Sequence, residues 1–113
     1  MKNDILVKNV SDITEVLTSH GIGSKQILLS NAECDTNLMQ VAIGTLKAGD
    51  KIEKHIHDSM EEYYYFFSGS VMFHIEKEFF AFDKECFIKV PCKASHWIEV
   101  KENCRFIYWG VAT

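Results

Sequence analysis

Residues 49–69 read GDKIEKHIHDSMEEYYYFFSG, and the layout of this stretch decides the fold and the chemistry together. His55 and His57 stand two apart. On a β-strand, side chains at i and i+2 share a face, so both imidazoles point the same way, with Ile56 between them on the other face. Neutral imidazoles on an inward face are unfavourable unless they are hydrogen-bonded or bound to a metal. Asp58-Ser59 supplies a turn, after which Glu62 opens the next strand and can return beside His57. Register matters here, because a shift of one residue, from Glu62 to Glu61, would turn every side chain of that strand over. With Glu62 inward, Tyr64 and Phe66 line the interior, while Tyr63, Tyr65 and Phe67 face outward. Three adjacent outward rings exceed what a monomer usually exposes, which predicts cover by a second subunit or by the N-terminal segment.

Working outward, the texture from Gln26 to the end is strand and turn. Short strands are expected at 37–46, 52–57, 62–68, 70–76, 79–82, 86–90, 95–100 and 105–111. Turns fall at 47–50, Ser68-Gly69, Asp83-Lys84 and Glu102-Asn103, and Glu76-Lys77-Glu78 reads as a solvated turn. Many short strands at regular spacing predict an all-β antiparallel sandwich or barrel. Before this barrel, the pattern predicts a strand over 5–10 and a short N-terminal helix. Asp12 with Glu15 three residues on is a capping-box pattern, Ile13, Val16 and Leu17 share a helical face, and Gly21-Ile22-Gly23 stops it. His20, just before that stop, reads as a cap or surface residue and not as a ligand. The chain reads as one domain over 1–113, with an N-terminal arm at 1–30.

Twelve Lys and Arg against 16 Asp and Glu leave a formal net charge of −4, with a pI near 5.7. This balance argues against a nucleic-acid partner, since phosphate binding needs clustered cations. No apolar run approaches the roughly 20 residues that span a bilayer, and residues 1–4 lead into no signal-type stretch, so a cytoplasmic protein without a membrane partner is expected. Cys34, Cys86, Cys92 and Cys104 form no CxxC pair and read as reduced thiols, with nothing to mark Cys92 as a nucleophile.

The later histidines extend the first pair. His96 follows Pro91 on a later strand, and His55, His57, Glu62 and His96 together suit one divalent transition ion such as Zn²⁺, Mn²⁺, Fe²⁺, Ni²⁺ or Cu²⁺. With His96 inward, Ile98 and Val100 also face in, and Trp97 and Glu99 face out. In the strand 70–76, either Met72 and His74 or Val71, Phe73 and Ile75 face inside, and the apolar trio suits the better-buried face. An inward His74 would be a proton carrier, whereas an outward one would be a hydrogen-bonded surface histidine.

The spacing Gly49, five residues, His55-Ile56-His57, four residues, Glu62, six residues, Gly69 is similar to the first motif of the cupin superfamily, and its last interval favours Glu62 over Glu61. Pro91 and His96 resemble the second motif, which departs from the family pattern at Glu85, Lys93 and Val100. Lys93 stands where the family has a glycine and cannot take a glycine-only turn cheaply, so a differently shaped loop is expected before His96. The resemblance covers about 37–111 and implies a jelly-roll barrel, usually dimeric, in which His55, His57, Glu62 and His96 bind one metal. It is compatible with a metal-dependent isomerase or epimerase acting on a sugar-like or carbonyl compound, with Tyr64 or His74 as catalytic candidates. The alternatives are an Fe-dependent oxygenase and a non-catalytic cupin that binds a small molecule or metal.

Overall fold

The computed structural model describes residues 4–113. Alternating side chains and β-rich composition produce eight strands: β1 (Val16–Leu17), β2 (Ser24–Ser30), β3 (Leu38–Leu46), β4 (Lys51–His55), β5 (Met60–Ile75), β6 (Glu78–Phe82), β7 (Cys86–Val90) and β8 (His96–Ala112). Every pairing is antiparallel.

The architecture follows from the length of β5 and β8. Each was expected as two strands with a turn between, yet each runs unbroken from one half of the barrel into the other. The first part of β5 pairs with β7 and with the last part of β8, which continues through β3 and β2 to β1. The second part of β5 pairs with β6 and with the first part of β8, which pairs with β4. The register between β5 and β8 shifts at Phe66, Ser68 and Ser70, where β5 bends. Gly69 makes that bend possible. Its φ of 102° lies where L side chains are strained, and a Cβ there would stand 2.4 Å from Cys104 Cβ. The result is an antiparallel jelly-roll barrel.

Inside it, Phe66 and Phe73 are fully buried and meet Tyr64, Phe82 and Phe106 at ring separations between 4.7 and 6.2 Å. Burying each such ring contributes roughly 2–3 kcal/mol. Val71 and Phe73 take the inner face with Ile75 packed against the core, and Ile98 and Val100 point in as the alternation predicts.

The N-terminal arm departs from expectation. No α-helix forms over 12–17: Val10–Asp12 makes one 3₁₀ turn, and Val16–Leu17 pairs with β2 as a strand. Residues 5–9 belong to no strand, with Ile5 and Val7 exposed. A helix of two turns is marginal by itself, and here the Gln26 side chain takes over the turn carbonyls, its Nε2 donating to Val10 O at 2.9 Å and Ile13 O at 3.0 Å. Gly21 and Gly23, both at positive φ, turn the chain from β1 into β2 rather than stopping a helix. All four cysteines are free.

Candidate metal centre

Strand pairing assembles the site. His55 ends β4 and lies opposite His96, the first residue of β8, while Glu62 sits near the start of β5 and His57 in the turn between β4 and β5. One ligating atom from each of His55, His57, Glu62 and His96 lies within 4.8 Å of the others. Glu62 and His96 are buried, and His55 and His57 half-buried. Glu61 lies on the opposite face, where its carboxylate accepts from the Tyr63 hydroxyl.

Hydrogen bonds aim these groups. His55 Nδ1–H donates to Glu53 O at 2.8 Å, and His96 Nδ1–H donates to Ala94 O at 3.0 Å. With the hydrogen held on Nδ1, the Nε2 lone pair of each ring is free to act as a ligand. Tyr64 OH donates to Glu62 Oε1 at 2.9 Å, and the same oxygen lies 3.2 Å from His96 Nε2 and 3.3 Å from His57 Nε2. In this tautomer His96 Nε2 and Glu62 Oε1 are both acceptors. A positive centre between them, a proton or a metal ion, satisfies both atoms at this distance. Three imidazole nitrogens and one carboxylate oxygen therefore fit a divalent transition ion on their own chemistry.

The electrostatics keep His55 and Glu62 in the forms a metal needs. Burial drives the His55 pKa down to about 4, against the opposing pull of its bond to Glu53 O. Burial alone would raise Glu62, but the His96 bond, the nearby His57 and the Tyr64 hydroxyl outweigh it and lower the carboxyl below its usual value. Burial and then Glu62 push Tyr64 well above the ordinary tyrosine value, and the same two causes push Tyr108 up to about 12.

The loop that delivers His96 keeps the left-handed turn despite lacking the glycine. Lys93 adopts φ 70°, and its N–H donates to His57 O at 2.9 Å. Cys92 Sγ donates to Asp58 O at 3.1 Å, and Ser95 N–H donates to Glu76 Oε1 at 3.0 Å. Those bonds hold a conformation that costs a lysine about 1 kcal/mol or more.

A cavity of about 170 Å³ opens beside the cluster, with apolar walls from Leu46, Ile52, Ile98 and Phe106 and the hydroxyls of Tyr64 and Tyr108. Sequence reasoning placed Tyr64 here, but it missed Tyr108 and three polar side chains of the lining: His20, Lys25 and Gln40. His20 caps no helix. The β1–β2 connection carries it onto the site, where its ring lies 4.5 Å from that of His55. Nothing in the local pattern marks these three, because only strand pairing brings them in. The catalytic candidate His74 lies elsewhere. It faces outward, stacked on Trp97 at 3.5 Å with Nε2 3.1 Å from Glu99 Oε1.

The outward rings are only partly covered. Tyr63 stacks on Trp109 at 5.5 Å, while Phe67 and Phe87 remain 40% and 55% exposed.

Solved structures similar to this chain share its architecture. A predicted oxalate decarboxylase from Thermotoga maritima superimposes with a TM-score of 0.86 at 21% identity, covering 96% of this chain and all of that one. An RmlC-like cupin from Shewanella frigidimarina gives 0.81 at 14% identity, with coverage of 100% and 96%. Ectoine synthase from P. lautus gives 0.82 at 13% identity, with coverage of 95% and 78%. The chain thus has the cupin fold. No protein-family model matches it, and no curated protein does. Among the described residues no helix is long and apolar enough to cross a membrane.

Proposed function

We propose that this chain is a single-domain cupin that holds one divalent transition ion on His55, His57, Glu62 and His96 and moves a proton on a small carbonyl-bearing molecule, as an isomerase or epimerase does. The observation that carries this reading is the convergence of three imidazoles and one carboxylate, of which His55, His57 and Glu62 line a cavity with Leu46, Ile52, Ile98 and Phe106. A bound ion would polarise a carbonyl oxygen and make a neighbouring C–H more acidic.

The chain's own groups supply the rest. Glu62 and the histidines, fixed by Glu53 O, Ala94 O and Tyr64 OH, fix where the ligand oxygen sits. The apolar walls from Leu46, Ile52, Ile98 and Phe106 suit the carbon skeleton of such a ligand. Tyr64 and Tyr108 keep their protons at neutral pH, so Tyr64 goes on donating to Glu62 and Tyr108 serves as a hydrogen-bond donor to ligand oxygen rather than as a base. His20 is the cavity imidazole outside the four-residue group, and it is placed to take or give a proton.

The test is solvent exchange in D₂O with protein reconstituted separately with Zn²⁺, Mn²⁺, Fe²⁺ and Ni²⁺, read by NMR on a panel of small 2-oxo acids and sugars. Deuterium entering beside a carbonyl, and lost in His57→Ala, is the expected result. Oxygen consumption by the Fe²⁺ form in place of exchange would instead indicate the oxygenase, and ligand binding without either would leave a non-catalytic binding protein.

Two further parts of this reading concern context. The exposed Phe67 and Phe87 beside Tyr63, Tyr65 and Trp109 support a homodimer through this outer face, which light scattering on the purified protein measures. Four free thiols support a reducing, cytoplasmic setting.

A further inference from the structure

Lys25 is half-buried on β2, opposite Gly44 of β3, and lines the cavity that also holds Glu62. Its ammonium has three N–H donors. One goes to Gln40 Oε1 at 3.2 Å, and among the described residues no carboxylate pairs with it. Lys8 shows the ordinary alternative, a more open lysine neutralised by Glu33 at 3.1 Å. A half-buried ammonium with no carboxylate in contact keeps donors for an anionic group that the cavity receives.

The charge count of the lining agrees. It contains one carboxylate, Glu62, and one ammonium, Lys25, which cancel. A divalent ion on the cluster then leaves the cavity with two uncompensated positive charges. His20 lies between the two ends, in ring contact with His55 and within the field of Lys25.

We propose that the cavity takes a small carboxylate, its charged end on Lys25 and the Gln40 amide, and a second oxygen function directed at the His55, His57, Glu62 and His96 cluster. The proposal rests on the reading of that cluster as a metal centre. A volume of about 170 Å³ sets the size, since about 150 Å³ accommodates one benzene, which places the ligand on the order of six to ten non-hydrogen atoms. One lysine and one amide suit a carboxylate. A phosphate dianion would call for more cationic donors, and beyond Lys25 no lysine or arginine among the described residues lines the cavity. The apolar walls accept the carbon skeleton between the two polar ends.

The test compares succinate with its neutral counterpart succinamide and with inorganic phosphate. Co²⁺-loaded protein is titrated and read by the visible absorption of Co²⁺, and metal-free protein is read by its thermal unfolding midpoint. Succinate should bind Co²⁺-loaded protein at least about tenfold more tightly than succinamide, the size expected of one charge-assisted contact. Lys25→Met should cut that preference several-fold at unchanged Co²⁺ content, the metal-directed carboxylate keeping the remainder, and Lys25→Arg should keep most of it. In metal-free protein succinate should still raise the midpoint more than succinamide does, in a Lys25-dependent way. Equal binding of the two probes, a preference that Lys25→Met leaves undiminished, or preferential binding of phosphate would overturn the proposal. A parent that binds no Co²⁺ yet keeps the Lys25-dependent succinate shift would instead overturn the metal reading and leave the anion site standing.

Discussion

Two histidines of this chain meet a glutamate at nearly the same distance, and they are not alike. His96 Nε2 lies 3.2 Å from Glu62, and His74 Nε2 lies 3.1 Å from Glu99. His96 is fully buried, its Nδ1 is tied to Ala94 O, and two more imidazoles converge on the same carboxylate region. His74 sits on the outer face, stacked on Trp97 with Phe79 nearby, and no other ligand group converges there among the described residues. A histidine–carboxylate contact is therefore no site in itself. What separates the two is convergence, burial and the backbone carbonyl that fixes which nitrogen carries the lone pair.

The sharpest way to break the comparison is to neutralise each carboxylate in turn. Glu62→Gln should weaken metal binding by at least about 100-fold, beyond the roughly 10- to 100-fold that loss of an orienting partner brings. Glu99→Gln should leave it unchanged. Competition against a chromophoric chelator measures both. Equal effects would mean that the inner pair is only a structural contact, like the outer one.

Tyr64→Phe comes next, because it keeps the ring in the core but removes the hydroxyl from Glu62 Oε1. A loss of about tenfold in metal affinity with near-parental unfolding is expected. Unchanged affinity would show that the hydroxyl does not orient the carboxylate.

Acid should act through the inner group. The folded His55 pKa of about 4 lies below the roughly 6.5 of an unfolded histidine, so the unfolded chain takes up a proton that the folded state resists. Stability from His55 is complete above about pH 6.5 and is lost as pH falls toward 4. Glu62, also lowered, adds a loss of the same sign at more acid pH. In urea unfolding of metal-free protein, His55→Gln should flatten the slope by up to about tenfold in the unfolding constant per pH unit. A slope that His55→Gln leaves untouched would contradict this.

The smallest effect concerns the loop that carries His96. Lys93→Gly removes the left-handed strain while keeping the N–H bond to His57 O, and should stabilise the protein by about 1 kcal/mol in the same unfolding assay.

Much of this site was legible before the structure. A period of two aligned His55 with His57, the turn at Asp58-Ser59 returned Glu62, and alternation from His96 placed Ile98 and Val100 inside. These signals are local, or they propagate along one strand. The N-terminal arm was misread because its short helical pattern competes with strand pairing to β2 and with the Gln26 amide, both contacts distant in sequence. His20, Lys25 and Gln40 escaped for the same reason: the β1–β2 and β2–β3 pairings bring them to the cavity, and no spacing encodes that. At Lys93 a local rule lost to tertiary bonds, since the missing glycine did not displace the turn. β5 and β8 were each divided at their bends, where turn-type residues mark a crossing between the halves rather than an end.

The central claim is that the inner histidines and glutamate hold one metal ion. Elemental analysis of the purified protein beside His96→Ala and His74→Ala tests it most directly. The account predicts about one transition-metal ion per chain in the parent and in His74→Ala, and close to none in His96→Ala. A metal-free parent after exposure to Zn²⁺, Mn²⁺, Fe²⁺, Ni²⁺ and Cu²⁺, or equal metal in all three proteins, would contradict it.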